Sequence, residues 1–441
     1  MSRSWFVRRM WMAWVAAMLA GLLAAVVPWL DRLRPVPIEL QAALELHVTN
    51  GADSGAASLR ETILRADRVD GRARIVIDVP VVTISSPLPP ILNPAGVVFE
   101  GRRPSSRIDA AGLSAGPVLD VSAPNTVLSL IEITGAPREA ILLRSSGARV
   151  TGVRLRQGAT GIYLADGADD LTVSESEFDG NTVGIQLPSD ARSVRISNSH
   201  FQGHARAGIW STAPSAPPVA TAIGIHILAN RFDADAAGLV LLNTPARVER
   251  NTFVGARTAA LLMSGAAMII RSNRVRSGFG FAIDSDGLDQ AVIADNEIDH
   301  NCSGGILVRN ARNTQVLSNR LYSNGYGVVV ILGSSSSPST VADNLIVRHL
   351  EDGLFVIGAS PLIRRNRLMD NRRAAVRLVA WRADGNQLRV PRPLLEANVF
   401  AGNGVDVPPQ DVYRASAASG GTGSPADCSW RNGADVNISG R

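Results

Sequence analysis

The chain has 441 residues, of which 46% are hydrophobic and 5% aromatic, with 40 glycines and a net charge of +5. All 44 basic residues are arginine, which excludes a Walker phosphate loop and lysine-based catalysis. Arg3, Arg8, Arg9, Arg32 and Arg34 against Asp31 put +4 of the net charge within residues 1–34, so the basic balance gives no reason to expect a nucleic-acid partner.

Residues 10–30 carry no charge. As a helix they would span about 31 Å, enough to cross a bilayer. The arginines before them place the N-terminus in the cytoplasm. Val26-Val27-Pro28-Trp29-Leu30 offers no small-x-small cleavage pattern. The sequence therefore predicts a cytoplasmic start and transmembrane signal anchor over 1–34, with the membrane met through residues 10–30. The remainder would be anchored to the inner membrane and face the periplasm or exterior, or be secreted if the anchor is cleaved. Residues 35–47, with Pro35 and Pro37, read as a linker.

Residues 48–74 read as an N-terminal capping segment. Ser58 and Glu61 have the spacing of a capping box, and Leu59, Ile63 and Leu64 suggest one apolar stripe on a helix that would cover the open end of whatever follows.

From residue 75 to 407 the chain repeats. The unit is strand, one-residue corner, strand, glycine turn, strand, seen most clearly in Val316–Val330, with the corner at Asn319 and the turn at Gly327. The corner falls at Ile131, Val153, Ser176 and Ser199, then at eight asparagines: Asn230, Asn251, Asn273, Asn296, Asn319, Asn344, Asn366 and Asn398. Most spacings are 21 to 25 residues, and apolar residues stand three before and two after each corner, as at Val316 and Leu321. Asparagine tolerates the left-handed backbone that a tight corner needs, and stacked amides can form a ladder. Helical solenoids need longer units with period 3.6, whereas these units alternate with period 2. The Leu-x-x-Leu-x-Leu frame of leucine-rich repeats is absent.

Three short strands per repeat with corners resemble the right-handed parallel β-helix, the pectate-lyase-like superfold. The stretch Val48-Thr49-Asn50 through Asp53-Ser54-Gly55 to Ser58-Leu59-Arg60 resembles the opening segment of secreted bacterial β-helix proteins. The resemblance implies an all-β solenoid of about 12 or more coils, roughly 60 Å long at the usual strand spacing, with the capping and anchor helices at its N-terminus. Segments 211–222, 333–338 and 380–393 break the register and leave from one edge. Residues 408–441 read as a tail, disordered or capping.

The resemblance places a cleft along the strand after the glycine turn. Alternation puts Leu142, Tyr163, Gln186, Trp210, Val240, Leu262, Asp284, Leu307, Val329, Phe355 and Arg377 outward there. The row is mostly apolar, which marks a binding surface or a face covered by the insertions. Tyr163, Gln186, Trp210, Phe355 and Arg377 are its ligand-binding candidates. Asp284, with Asp286 beside it and Arg309 one coil on, is the candidate catalytic group. Paired carboxylates and an arginine suit proton abstraction from a sugar or a divalent cation such as calcium; otherwise no cofactor is expected. His300 and Cys302 are weak metal-ligand candidates, and a disulfide from Cys302 to Cys428 is open. Three functions follow in order: a non-catalytic protein binding an envelope polysaccharide or protein; a polysaccharide lyase, hydrolase or epimerase; and a metal-delivery protein.

Overall fold

The computed structural model describes residues 44–102, 106–211, 224–334, 336–382, 388–404 and 412–418, all within one compact unit, Ala43–Arg441. Short strands build three sheets of 15, 14 and 14 strands, and through all but the ends of each sheet consecutive members are three strands apart in the chain. Each coil thus gives one strand to each sheet and stacks in parallel on the next. Among the described residues, the one antiparallel pairing is Leu388–Arg389 against Val376–Arg382. Within a typical three-residue strand the middle side chain points inward. Val248, Ile270, Ile293, Val316, Val341 and Ile363 form such a file in the first sheet and are fully buried. Parallel in-register stacking converts a repeated apolar position into a continuous core.

The solenoid extends beyond both expected ends. Leu44–Val48 pairs with Ala73–Ile77, so a strand begins inside the segment read as a linker. Leu46 and Val48 are buried while Glu45 and His47 are exposed, a period-2 pattern that follows from one face meeting the core. At the other end Val412–Ala418, within the expected tail, pairs with Val376–Arg382. The helix Leu59–Ala66 starts at Ser58, whose Oγ accepts from the Glu61 N–H at 3.3 Å; the Glu61 carboxylate in turn accepts from the Ala57 N–H. Its buried face is Leu59, Thr62, Ile63 and Ala66. Leu64 is 42% exposed, because five residues turn a helix roughly 140° away from Leu59. Among the described residues no helix is long and apolar enough to cross a membrane; the expected anchor, residues 10–30, lies outside the described residues.

The corner geometry differs from expectation. The left-handed residue is the one before each asparagine: Ala229, Arg250, Ser272, Asp295, Ser318, Asp343, Arg365 and Ala397, with φ between 50° and 59°. The asparagine itself turns its side chain inward. Each amide nitrogen from Asn230 to Asn366 donates to the amide oxygen of the next corner at 2.9–3.1 Å. Each also donates to a carbonyl of the preceding coil, as Asn319 does to Ile293 at 2.9 Å. The oxygen takes the backbone N–H of the preceding corner as well, as Asn344 does from Asn319 at 2.8 Å. The asparagine is therefore selected for its two-ended amide, and the strained position is left to outward-facing residues of many types.

The glycines at the turn position of the repeat, Gly184, Gly208, Gly238 and Gly327, do not make a left-handed turn. A Cβ on Gly327 would meet the Gly353 carbonyl at 2.2 Å, and Cβ atoms on Gly184, Gly208 and Gly238 would meet the rings of Phe201, Phe232 and Phe253 at 2.9, 2.8 and 2.6 Å. These glycines give room to a file of four parallel phenylalanines, Phe178, Phe201, Phe232 and Phe253, whose centroids are 4.6–4.7 Å apart.

Candidate functional site

The outer face of the third sheet carries the predicted row in continuous register. Leu142 pairs with Tyr163, Tyr163 with Gln186, Gln186 with Trp210, and the series continues through Val240, Leu262, Asp284, Leu307, Val329 and Phe355 to Arg377. It is not an open apolar strip. Leu142, Val240, Leu307 and Val329 are only 7%, 2%, 6% and 4% exposed. Val240 packs with Ala207, Ala237, Trp210, Leu242 and Leu262, while Leu307 and Val329 pack with Ile331, Ile357 and Val379. Large side chains on neighbouring coils close over each other, which alternation along a single strand does not reveal. Tyr163, Gln186, Trp210, Phe355 and Arg377 remain half-buried. The Arg206 guanidinium lies 3.5 Å from the Trp210 ring centroid, so one face of that indole is already occupied by a cation–π contact. Of the two large segments expected to cover this face, 211–222 lies outside the described residues apart from Ser211, while 380–393 is described except for residues 383–387 and turns back so that Leu388 and Arg389 pair with Arg382 and Trp381.

Asp284, Asp286 and Arg309 do come together. Asp286 and Arg309 are in register on adjacent coils. Arg309 Nη2 donates to Asp284 Oδ1 at 2.6 Å, its Nε stands 3.9 Å from Asp286, and the Asn310 amide donates to Asp286 Oδ1 at 2.8 Å. Burial pushes the Asp284 carboxyl above its usual range; Arg309 opposes this and Asp286 adds to it. The guanidinium sits where a cation shared by the two carboxylates would bind, so the arrangement does not suit calcium. Among the described residues there is no group of three or more potential metal ligands.

His300 and Cys302 are not arranged as a metal pair. His300 occupies a left-handed corner at φ 55° and its Nδ1 contacts Asp299 at 2.8 Å, whereas Cys302 is buried and disulfide-bonded. The corner sends the two side chains in different directions, and a disulfide has no thiolate to give a metal. Cys428, the other cysteine, lies outside the described residues. His349 is inside the solenoid, where it belongs to a second polar file, five residues beyond the asparagine corners, that was not anticipated from the sequence. There Asn301 donates to Asn324 at 2.9 Å, the Asn324 N–H donates to His349 Nδ1 at 3.1 Å, and the His349 N–H donates to Asn371 at 3.2 Å. Burial pushes His349 down to about 3, which keeps the ring neutral. His204 and Asp235, 2.6 Å apart and fully buried, stand lower in the same file. Its mixed composition, with Ala256 and Gly278 at two positions, hid the file.

A second charged group on the outer face was also missed. Tyr326 and Asp352 occupy the position just before the glycine column, in register with each other. The Tyr326 ring stacks on Phe355 with centroids 5.6 Å apart, and the Arg377 guanidinium stands 5.7 Å from the Phe355 centroid. Asp352 is 1% exposed; it accepts from the Ala374 N–H at 3.1 Å and contacts Arg377 at 3.5 Å. Glu351 pairs with Arg373 at 2.7 Å. Burial pushes Tyr326 up to about 12, and pushes Asp352 up to about 6 against the opposing Arg377, the Ala374 N–H and Arg373. Shifting the glycine register back by one residue would have exposed this column.

Because the folded carboxyl of Asp352 binds its proton more tightly than the unfolded one, its contribution to stability is full below the unfolded value near 3.8 and is lost as pH rises through about 6. The urea midpoint of the wild type, relative to that of Asp352→Asn, is therefore expected to fall between pH 4 and pH 7. A difference that stays flat over this window would show that Asp352 is not held protonated.

The right handed beta helix region profile matches residues 118–275, 219–368 and 269–406. No curated protein matches the sequence significantly. Among solved structures, the A-module of a mannuronan C-5 epimerase from Azotobacter vinelandii is 12% identical with a TM-score of 0.45, covering 84% of this chain and 99% of that one. The catalytic unit of a GH87 α-1,3-glucanase from Streptomyces thermodiastaticus is 13% identical with a TM-score of 0.46, over 81% and 68% of the two chains. A tailspike protein of an E. coli bacteriophage, solved with a pentasaccharide, is 11% identical with a TM-score of 0.48, over 81% and 76%. With three sheets of stacked parallel strands and a profile match across most of its length, the chain belongs to the right-handed β-helix family.

Proposed function

We propose that this chain is a non-catalytic β-helix protein of the cell envelope that binds a polysaccharide along the outer face of its third sheet. The observation that carries the reading is the in-register row on that face, where the half-buried Tyr163, Gln186 and Trp210 follow one another on consecutive coils and Phe355 is followed on the next coil by Arg377. Sugar rings present apolar C–H faces to aromatic rings, while their hydroxyls and carboxylates meet charged groups. In the same reading residues 10–30 anchor the protein to the inner membrane, the opening segment 48–60 places it among exported β-helices, the helix Leu59–Ala66 caps the first coil, and no cofactor takes part. An envelope protein is the other partner class that this face would serve.

The charged group around Asp284 supports binding because Arg309 ties Asp284 into an ion pair at 2.6 Å and opposes its proton uptake. The raised Asp284 carboxyl supports a second reading, a lyase, hydrolase or epimerase centred on Asp284, Asp286 and Arg309. Affinity electrophoresis in gels containing envelope polysaccharides separates the two. Trp210→Ala and Phe355→Ala are expected to weaken retention about tenfold, the scale of a central contact, with Asp284→Asn close to wild type. Shortened chains, unsaturated ends or inverted sugar centres that disappear in Asp284→Asn would establish the enzyme instead.

A further inference from the structure

We propose that the outer face of the first sheet carries a binding site for a tetrahedral oxyanion group, phosphate or sulfate, formed by Arg195, His226 and Arg247. The site belongs to a different sheet from the row discussed above and stands independently of the polysaccharide reading. Arg195, His226 and Arg247 are in register on three consecutive coils. Neighbouring coils are about 4.8 Å apart, so the three side chains form one file on one face, with Thr172 before it and Ile269 after it. Ile196 and Val248, the next residues along their strands, are buried, whereas Arg195 and Arg247 are exposed. Neither guanidinium has an ion-pair or hydrogen-bond partner among the described residues. Arg74, lower in the same column, is by contrast held by Glu45 and Glu100.

Cations placed in register repel one another, so an unpaired file of them is arranged for an anion that comes from outside. His226 supplies a second observation. Its Nε2 is buried and has no hydrogen-bond partner among the described residues, and a buried ring nitrogen without a partner is costly. An oxyanion seated over the imidazole gives that nitrogen an acceptor. The two arginines reach it from either side on flexible arms, and each guanidinium presents paired N–H groups to neighbouring oxygens. Donors converging from three coils suit a tetrahedral group, whereas a planar carboxylate has only two oxygens to share among them. The charged groups facing the imidazole are Arg195 from the preceding coil and Arg247 and Glu249 from the following one. Burial, Arg195 and Arg247 push the ring below its usual range, and Glu249 opposes them. An anion between the arginines offsets their repulsion and raises the ring, so binding takes up a proton and strengthens as pH falls.

The test titrates the full chain with sodium sulfate, whose charge is constant between pH 5 and pH 8, at fixed ionic strength. Affinity is read by calorimetry, and the imidazole by its ring-proton resonance, identified from its loss in His226→Asn. Sulfate is expected to raise the titration midpoint of His226 and to bind more tightly at pH 5.5 than at pH 8, a difference that His226→Asn removes. Arg195→Gln and Arg247→Gln each weaken binding about tenfold, the scale of one charge-assisted hydrogen bond. Arg74→Gln, which removes a paired arginine from the same column, keeps the wild-type affinity. Glucose 6-phosphate and glucose 6-sulfate at pH 8 then separate the two sources. Tighter binding of the phosphate ester, which carries the larger charge there, assigns the site to phosphate, and tighter binding of the sulfate ester assigns it to sulfate. Absence of binding by sulfate and both esters, or a His226 midpoint that sulfate does not move, would overturn the site. Equal weakening by Arg74→Gln would reduce it to the general charge of the face and overturn it as well.

Discussion

Phe232→Ala is expected to lower the unfolding free energy by about 4 kcal/mol, the range for emptying a phenylalanine site in a core. Phe232 is 2% exposed and lies between two parallel rings, Phe201 at 4.7 Å and Phe253 at 4.6 Å. Removing it leaves a ring-sized gap that Gly208, with no side chain, does nothing to fill. Phe178→Ala removes a ring with one aromatic neighbour, Phe201, and is expected to cost less. Because a solenoid is held by interfaces between successive coils, the loss should be local. In amide exchange, protection is expected to fall first in the strands His200–Gln202, Arg231–Asp233 and Thr252–Val254. Urea denaturation with a loss under about 1 kcal/mol would mean that the file closes around the gap, contrary to the packing limits on cores.

Asn319→Ala is expected to cost about 3 kcal/mol, and Asn398→Ala clearly less. The Asn319 oxygen receives both the backbone N–H and the amide of Asn296, and its nitrogen supplies Asn344 and the Ile293 carbonyl. Alanine leaves those buried groups without partners, and each carries a desolvation cost of about 1–3 kcal/mol, softened by relaxation. Asn398 receives the N–H and amide of Asn366 and donates to Ile363, and it is only half-buried. Asn319→Asp supplies a control with the same shape: its oxygens still accept from Asn296 but have nothing to donate to Ile293. Thermal unfolding that ranks Asn398→Ala equal to Asn319→Ala would show that position within the file carries no energy.

Repeat length, the inward apolar positions and the asparagine file were legible in the sequence because they are one-dimensional. Each recurs at a fixed offset, and in a parallel stack with a coil-to-coil register a recurring offset becomes a spatial neighbour. The same logic recovered the whole outer row from Leu142 to Arg377 and the meeting of Asp286 with Arg309. It failed where the offset held mixed residues. The second polar file combines asparagine, histidine and aspartate with alanine and glycine, so composition concealed a shared position. The Tyr326 and Asp352 column was passed over because the glycine beside it drew the register.

What the sequence determined alone was periodicity, and hence the class of fold and the neighbours along each file. What the tertiary structure decided was which backbone position is strained, how much of each outward side chain is covered, and which charges meet. The left-handed residue precedes the asparagine because the amide must point inward to reach the next coil, a constraint that exists only once two coils are stacked. The exposure of Val240 or Val329 depends on the size of side chains one coil above and below. The character of Asp352 depends on its burial and on an arginine 25 residues away in the chain. Burial and charge pairing are sums over neighbours from several coils, and a single strand read along its own length contains too few of those terms.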